Sequence, residues 1–97
     1  MTNIQQPPNL VNPEAIYRAA IGKWGIFAQL DMAIEEAAEL TQALMHLRRR
    51  RCTEADVASE VADMTIMCGQ LRLIFGAELV DAEIKAKLER LEGRLAA

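Results

Sequence analysis

The chain has 97 residues, of which 52% are hydrophobic but only 4% aromatic, with a net charge of −3. A chain of this length makes one domain near the lower limit for folding alone and buries only about 60–65% of the surface its unfolded form exposes, so a partner subunit would help. The negative balance argues against nucleic acid as a ligand, because phosphate contacts need clustered cations, and no apolar run reaches the length of a membrane span.

Residues 1–12 are polar and contain Pro7-Pro8, and read as a flexible N-terminal arm; residues 13–97 read as a single helical domain. Asn12-Pro13 is a helix start, with Asn as cap and Pro at the first helical position. The first helix is expected to end near Lys23 or Trp24, where Gly25 breaks it. A long second helix follows over 26–50, then a turn at Arg51-Cys52-Thr53. Thr53 with Asp56 resembles a capping box and opens a third helix that Gly76 closes after Phe75. A fourth helix is expected over 80–95. Strand-like alternation of useful length is absent, and the core palette of Ala, Leu, Ile, Val and Met favours helix. The expected fold class is all-α, a four-helix bundle-like protomer. Cys52 and Cys68 make neither a C-x-x-C nor a zinc spacing, so Cys68 is expected as a buried thiol and Cys52 in a turn. Free thiols and the lack of a recognisable leader suit a cytoplasmic protein.

At about 100° per residue, Val57, Val61, Met64, Met67, Cys68, Leu71 and Phe75 form one stripe of the third helix. Ala58, Ala62, Ile66, Gly69 and Leu73 form a second. The second helix is likewise two-faced, with Ala33, Ala37, Leu40 and Leu44 opposite Ile34, Ala38 and Met45. A helix apolar on both sides is buried on both sides. In so short a chain that implies a homo-oligomer, a dimer or a tetramer.

Two acidic pairs interrupt this pattern: Glu35-Glu36-x-x-Glu39, and Glu60-x-x-Asp63. A three-residue step keeps both carboxylates of a pair on one helix face. Glu60 and Asp63 fall inside the apolar stripe, where a carboxylate is costly unless something positive meets it. Facing pairs would repel and raise each other's pKa unless divalent cations neutralised them. Oxygens from Glu36, Glu39, Glu60 and Asp63 suit Mg²⁺ or Mn²⁺. Mg²⁺ commonly shares oxygens with substrate phosphates, which points to a phosphorylated substrate. Glu35 lines up with Asp31, Gln42 and His46 and is expected at the surface. Lys87 and Arg94 lie on the core side of the fourth helix with Ile84, Leu88, Leu91 and Leu95, placed either to grip phosphate or to pair with Glu60 or Asp63. Arg48, Arg49, Arg50 and Arg51 end the second helix and read first as a solvated helix terminus. Trp24 suits either base stacking or a core anchor between the first two helices. No Glu-x-x-His occurs, which argues against a di-iron carboxylate bundle.

The acidic set resembles the EExxE…ExxD signature of MazG-type, all-α nucleoside triphosphate pyrophosphohydrolases. The likeness runs from about Lys23 to Arg94 and includes Lys23-Trp24-Gly25, Gln29-Leu30, Glu60-Val61-Ala62-Asp63 and the closing Lys87 and Arg94. The lead-in and the Leu91-Glu92-x-Arg94-Leu95 ending look most like small stand-alone phage or bacterial members. The resemblance implies hydrolysis of a nucleoside triphosphate between the α and β phosphates, giving monophosphate and pyrophosphate, in housecleaning or nucleotide-pool control. It implies Mg²⁺ on Glu36, Glu39, Glu60 and Asp63, with Glu35 as an additional acid, and substrate contacts from Lys87, Arg94, Trp24 and Gln29. Leu91 departs from the pattern, since many members carry Asn there. The alternative from another class is a catalytically silent nucleotide-binding or regulatory oligomerisation module.

Overall fold

The computed structural model describes residues 11–97. Most of the expected arm, residues 1–10, lies outside the described residues, and Asn12 already serves as a helix cap. Four helices follow: α1 (Pro13–Trp24), α2 (Ile26–Arg48), α3 (Glu54–Phe75) and α4 (Ala77–Ala96). No strand occurs among the described residues. None of these helices is long and apolar enough to cross a membrane.

The boundaries follow local chemistry. Asn12 accepts the Ala15 amide at 3.2 Å, and Pro13 stands first in α1. Thr53 and Asp56 form the full capping box, with the Asp56 amide donating to Thr53 at 3.2 Å and the Thr53 amide donating to Asp56 at 2.8 Å. α1 and α2 would be continuous but for Gly25 at φ +89, a conformation that L side chains rarely adopt. Two boundaries differ from the sequence expectation. α4 begins at Ala77, immediately after Gly76, so the link to α3 is a corner and not a loop. α2 stops at Arg48, because Arg50 takes φ +58. There the Arg50 amide reaches Leu47 O at 2.9 Å and the Arg51 amide reaches His46 O at 2.8 Å, a Schellman ending with arginine where glycine is usual.

α2 and α3 form the principal pair and run antiparallel, joined by the short turn between them. Gln29 on α2 lies with Met67 and Gln70 of α3 at one end of the seam, and Ala43 lies with Asp56 and Glu60 toward the other. α1 packs on both, with Tyr17 seated against Gly69. Among the described helices α4 touches α3 alone, pinned at the corner by a two-pronged Arg72–Asp81 pair at 2.8 and 2.7 Å. Among the described residues, therefore, the expected four-helix packing does not close. Ile84, Leu88, Leu91 and Leu95 are all exposed, and the Cα radius of gyration is 17.2 Å, against about 13 Å for a compact domain of 100 residues.

The buried line of α3 is also rotated from the expected stripe. Val61, Cys68 and Phe75 are exposed, while Val57, Glu60, Met64 and Leu71 are half-buried and Met67 and Gln70 are buried. The cause is the partner: α2 presents Ala33, Glu36, Leu40 and Ala43, and α3 turns the face that fits them. Cys68 is accordingly an exposed thiol and not the buried one expected, whereas half-buried Cys52 donates its thiol to the Ala43 carbonyl at 3.4 Å.

Candidate metal centre

This packing brings Glu36 of the first acidic set to Glu60 and Asp63 of the second. Glu36 comes from the middle of α2, and Glu60 and Asp63 from successive positions on the facing turn of α3. One carboxylate oxygen from each lies within 4.8 Å of those of the other two. Glu36 and Glu60 are half-buried, and the Oε2 of each is closed to solvent with no hydrogen-bond partner.

Among the described residues, no ion pair involves Glu36, Glu39, Glu60 or Asp63. The electrostatics are therefore unfavourable as they stand. Loss of solvent, then the charges of Glu39, Asp63 and Glu60, push the Glu36 carboxyl above the ordinary glutamate value of 4.5. Glu60 is pushed up the same way, by loss of solvent and then by Glu39 and Asp63. An all-oxygen set with two orphaned carboxylate oxygens fits a hard divalent cation, which would supply the missing positive charge to every member at once.

The other expected site residues divide clearly. Glu39 lies one turn from Glu36 and is exposed; it stands outside the tight three-residue group, at its rim, where its charge is felt by both glutamates. Glu35 is exposed and outside the group, as its alignment with surface residues suggests. Lys87 and Arg94 are not brought to the acids within one chain. The α4 stripe that was to carry them inward is exposed, α4 touches only α3, and Lys87 pairs with Glu83 of its own helix at 3.7 Å. The physical reason is that the described residues offer no second wall for α4 to lie against. Of the arginine run, Arg49 lines a cleft of about 470 Å³ with Glu39, Gln42 and His46.

A second cleft, of about 610 Å³, opens between the end of α1 and the α2–α3 seam, lined by Trp24, Ala28, Gln29, Met32, Met67 and Gln70 among others. It adjoins the acids, because Met32 lies one turn before Glu36 and Met67 one turn after Asp63. Trp24 is 60% exposed, so it is a rim residue and not the core anchor between α1 and α2. The Lys23 ammonium sits 5.3 Å from its ring centroid. Gln29 is buried in the cleft wall.

Gln70 was missed in the sequence reading. It occupies the same buried line as Glu60 and Met67, and its Oε1 is shut off from solvent without a partner. Its signal in the sequence is an amide three residues after Met67, on the stripe that also carries Glu60.

Comparison with protein-family models, with curated proteins and with solved structures gives no match.

Proposed function

We propose that the chain is a Mg²⁺-dependent nucleoside triphosphate pyrophosphohydrolase that releases a nucleoside monophosphate and pyrophosphate. The observation that carries this reading is the convergence of Glu36, Glu60 and Asp63 from two helices, with a buried oxygen on each glutamate and no cation paired to the cluster among the described residues. Such a cluster costs folding energy and makes sense as a binding site. When bound there, the ion would activate water and offset charge developing on phosphate. Glu36, Glu60 and Asp63 would hold it, and Glu39 at the rim is placed to orient the attacking water. Trp24, Met32 and Met67 offer apolar surface for a base beside the phosphates.

A homo-oligomer belongs to the same proposal. The chain exposes 7945 Å², whereas a compact monomer of its mass exposes about 5,500 Å². The surplus, on the order of 2,000 Å², is what obligate homodimers bury. A neighbouring copy covering the α4 stripe would give Lys87 and Arg94 a wall to lean on and a phosphate to meet. The competing structural module, a helical oligomer held by pairs between Glu60 or Asp63 and Lys87 or Arg94, would have to form those pairs between copies, since within one chain Lys87 pairs with Glu83.

The test is product analysis after incubation with Mg²⁺ and a panel of ribo- and deoxynucleoside triphosphates. Monophosphate plus pyrophosphate in equal amounts is the expected result. Phosphate release, or no turnover with any substrate, would overturn the proposal.

A further inference from the structure

The geometry points to Gln70 as the residue that reads the hydrogen-bonding edge of a nucleobase in the cleft beside the acidic cluster. This rests on the nucleotide reading above and adds to it a residue that determines which ligand the cleft accepts. Gln70 is 5% exposed, lines the cleft, and keeps an Oε1 with no partner. Gln29, 4% exposed, lines the same cleft from α2. Two buried carboxamides in a largely apolar cleft that Asp31 also lines are poor choices for packing and good ones for recognition.

The chemistry of an amide selects the ligand. A glutamine presents a donor and an acceptor side by side, the complement of the adjacent donor and acceptor on a base edge. Its terminal torsion is broad and roughly two-fold, so a half-turn brings either oxygen or NH₂ to the cleft surface. With the oxygen turned to the cleft, a base donor supplies the partner it lacks inside; a ligand without such an edge leaves it unsatisfied.

Position supports the same ligand. Gln70 lies seven residues beyond Asp63 on α3, about 10 Å along the helix axis. That leaves a sugar's room between a phosphate at the acids and a base at the amide. Met32 and Met67 line the interval, polarisable side chains suited to the face of a ring.

The experiment is calorimetric titration of the full chain, in Mg²⁺, with α,β-imido nucleoside triphosphates of four bases and with inorganic tripolyphosphate. The wild type should bind its preferred nucleotide more tightly than tripolyphosphate. Gln70→Leu should weaken that nucleotide by about tenfold to a hundredfold, leave tripolyphosphate unchanged, and melt no lower than wild type. Gln70→Glu, which keeps the shape but replaces the NH₂ donor, should reorder the bases. Unchanged nucleotide affinity in both variants would overturn the role of Gln70 while leaving the nucleotide reading intact. A wild type that prefers no base over tripolyphosphate would also overturn it. Binding of neither probe would remove the nucleotide reading and this inference together.

Discussion

Glu36 on α2 and Glu60 on α3 meet across the helix seam with one carboxylate oxygen each buried and unpartnered. Removing the charge from one of them relieves the other. Glu60→Gln, and to a similar extent Glu36→Gln, should therefore raise the melting temperature of protein held in chelator. A structural ion-pair role predicts the opposite sign. Thermal melts of the two variants against wild type decide between them.

Metal supplies the complementary result. Saturating Mg²⁺ should raise the wild-type melting temperature, since a ligand at about 100 times its Kd stabilises by about 2.7 kcal/mol. Glu60→Gln should lose most of that increment. In turnover assays, Glu39→Ala and Glu60→Ala should each reduce activity by about a hundredfold or more while the far-ultraviolet spectrum stays helical, because loss of even an outer partner of a metal ligand typically costs 10–100-fold.

Acid should act in two directions. Glu36 and Glu60 have folded-state pKa values raised above 4.5, so their charged forms cost stability. That cost is absent below the unfolded value and complete once pH has risen past the raised values. Asp56, held down by its hydrogen bonds to Thr53, and Asp81, held down by Arg72, lie below their ordinary 3.8. Their contribution is full above 3.8 and is lost as pH falls through the depressed values. Metal-free protein should thus gain stability from neutral pH toward about 4.5 and lose it below about 3.8. Mg²⁺ should abolish the gain. Melting temperatures measured across this range in chelator and in Mg²⁺ should diverge above the raised values and converge in acid.

Two backbone substitutions test the fold itself. Arg50→Gly should stabilise by about 1 kcal/mol, because φ +58 at Arg50 crowds its Cβ. Gly69→Ala should destabilise, since a Cβ there would strike the Tyr17 ring. Overpacking of that kind costs about 1–3 kcal/mol, more than the roughly 1 kcal/mol that alanine gains in a helix. Gly93→Ala, with open space around it, is the control and should stabilise slightly. Denaturant midpoints of the three variants give the comparison.

The exposed α4 stripe predicts that sedimentation detects a dimer or larger species. Leu88→Asp should shift it toward monomer and reduce activity together, if Lys87 and Arg94 act on a neighbour's site. Dissociation with full activity retained would place the whole site in one chain.

Local chemistry alone determined the helices. Asn12-Pro13, Gly25, the Thr53–Asp56 box and Gly76 are start and stop signals that act within a turn, so their effects can be read without knowing what packs where. The acidic spacing was legible for the same reason, since three residues along a helix always return to one face. The tertiary structure decided the rest. Which face of α3 is buried depends on the α2 surface it meets, and a rotation by one residue exposed Cys68 and admitted Gln70. The arginine run is expected to stay helical to Arg50, yet the Schellman turn ends the helix at Arg48 and places Arg50 in the left-handed region. The helix that was to complete the bundle carries a proper apolar stripe, but a stripe specifies only that a partner is needed. Whether that partner lies in the same chain is a matter of tertiary packing, and among the described residues α4 meets α3 alone.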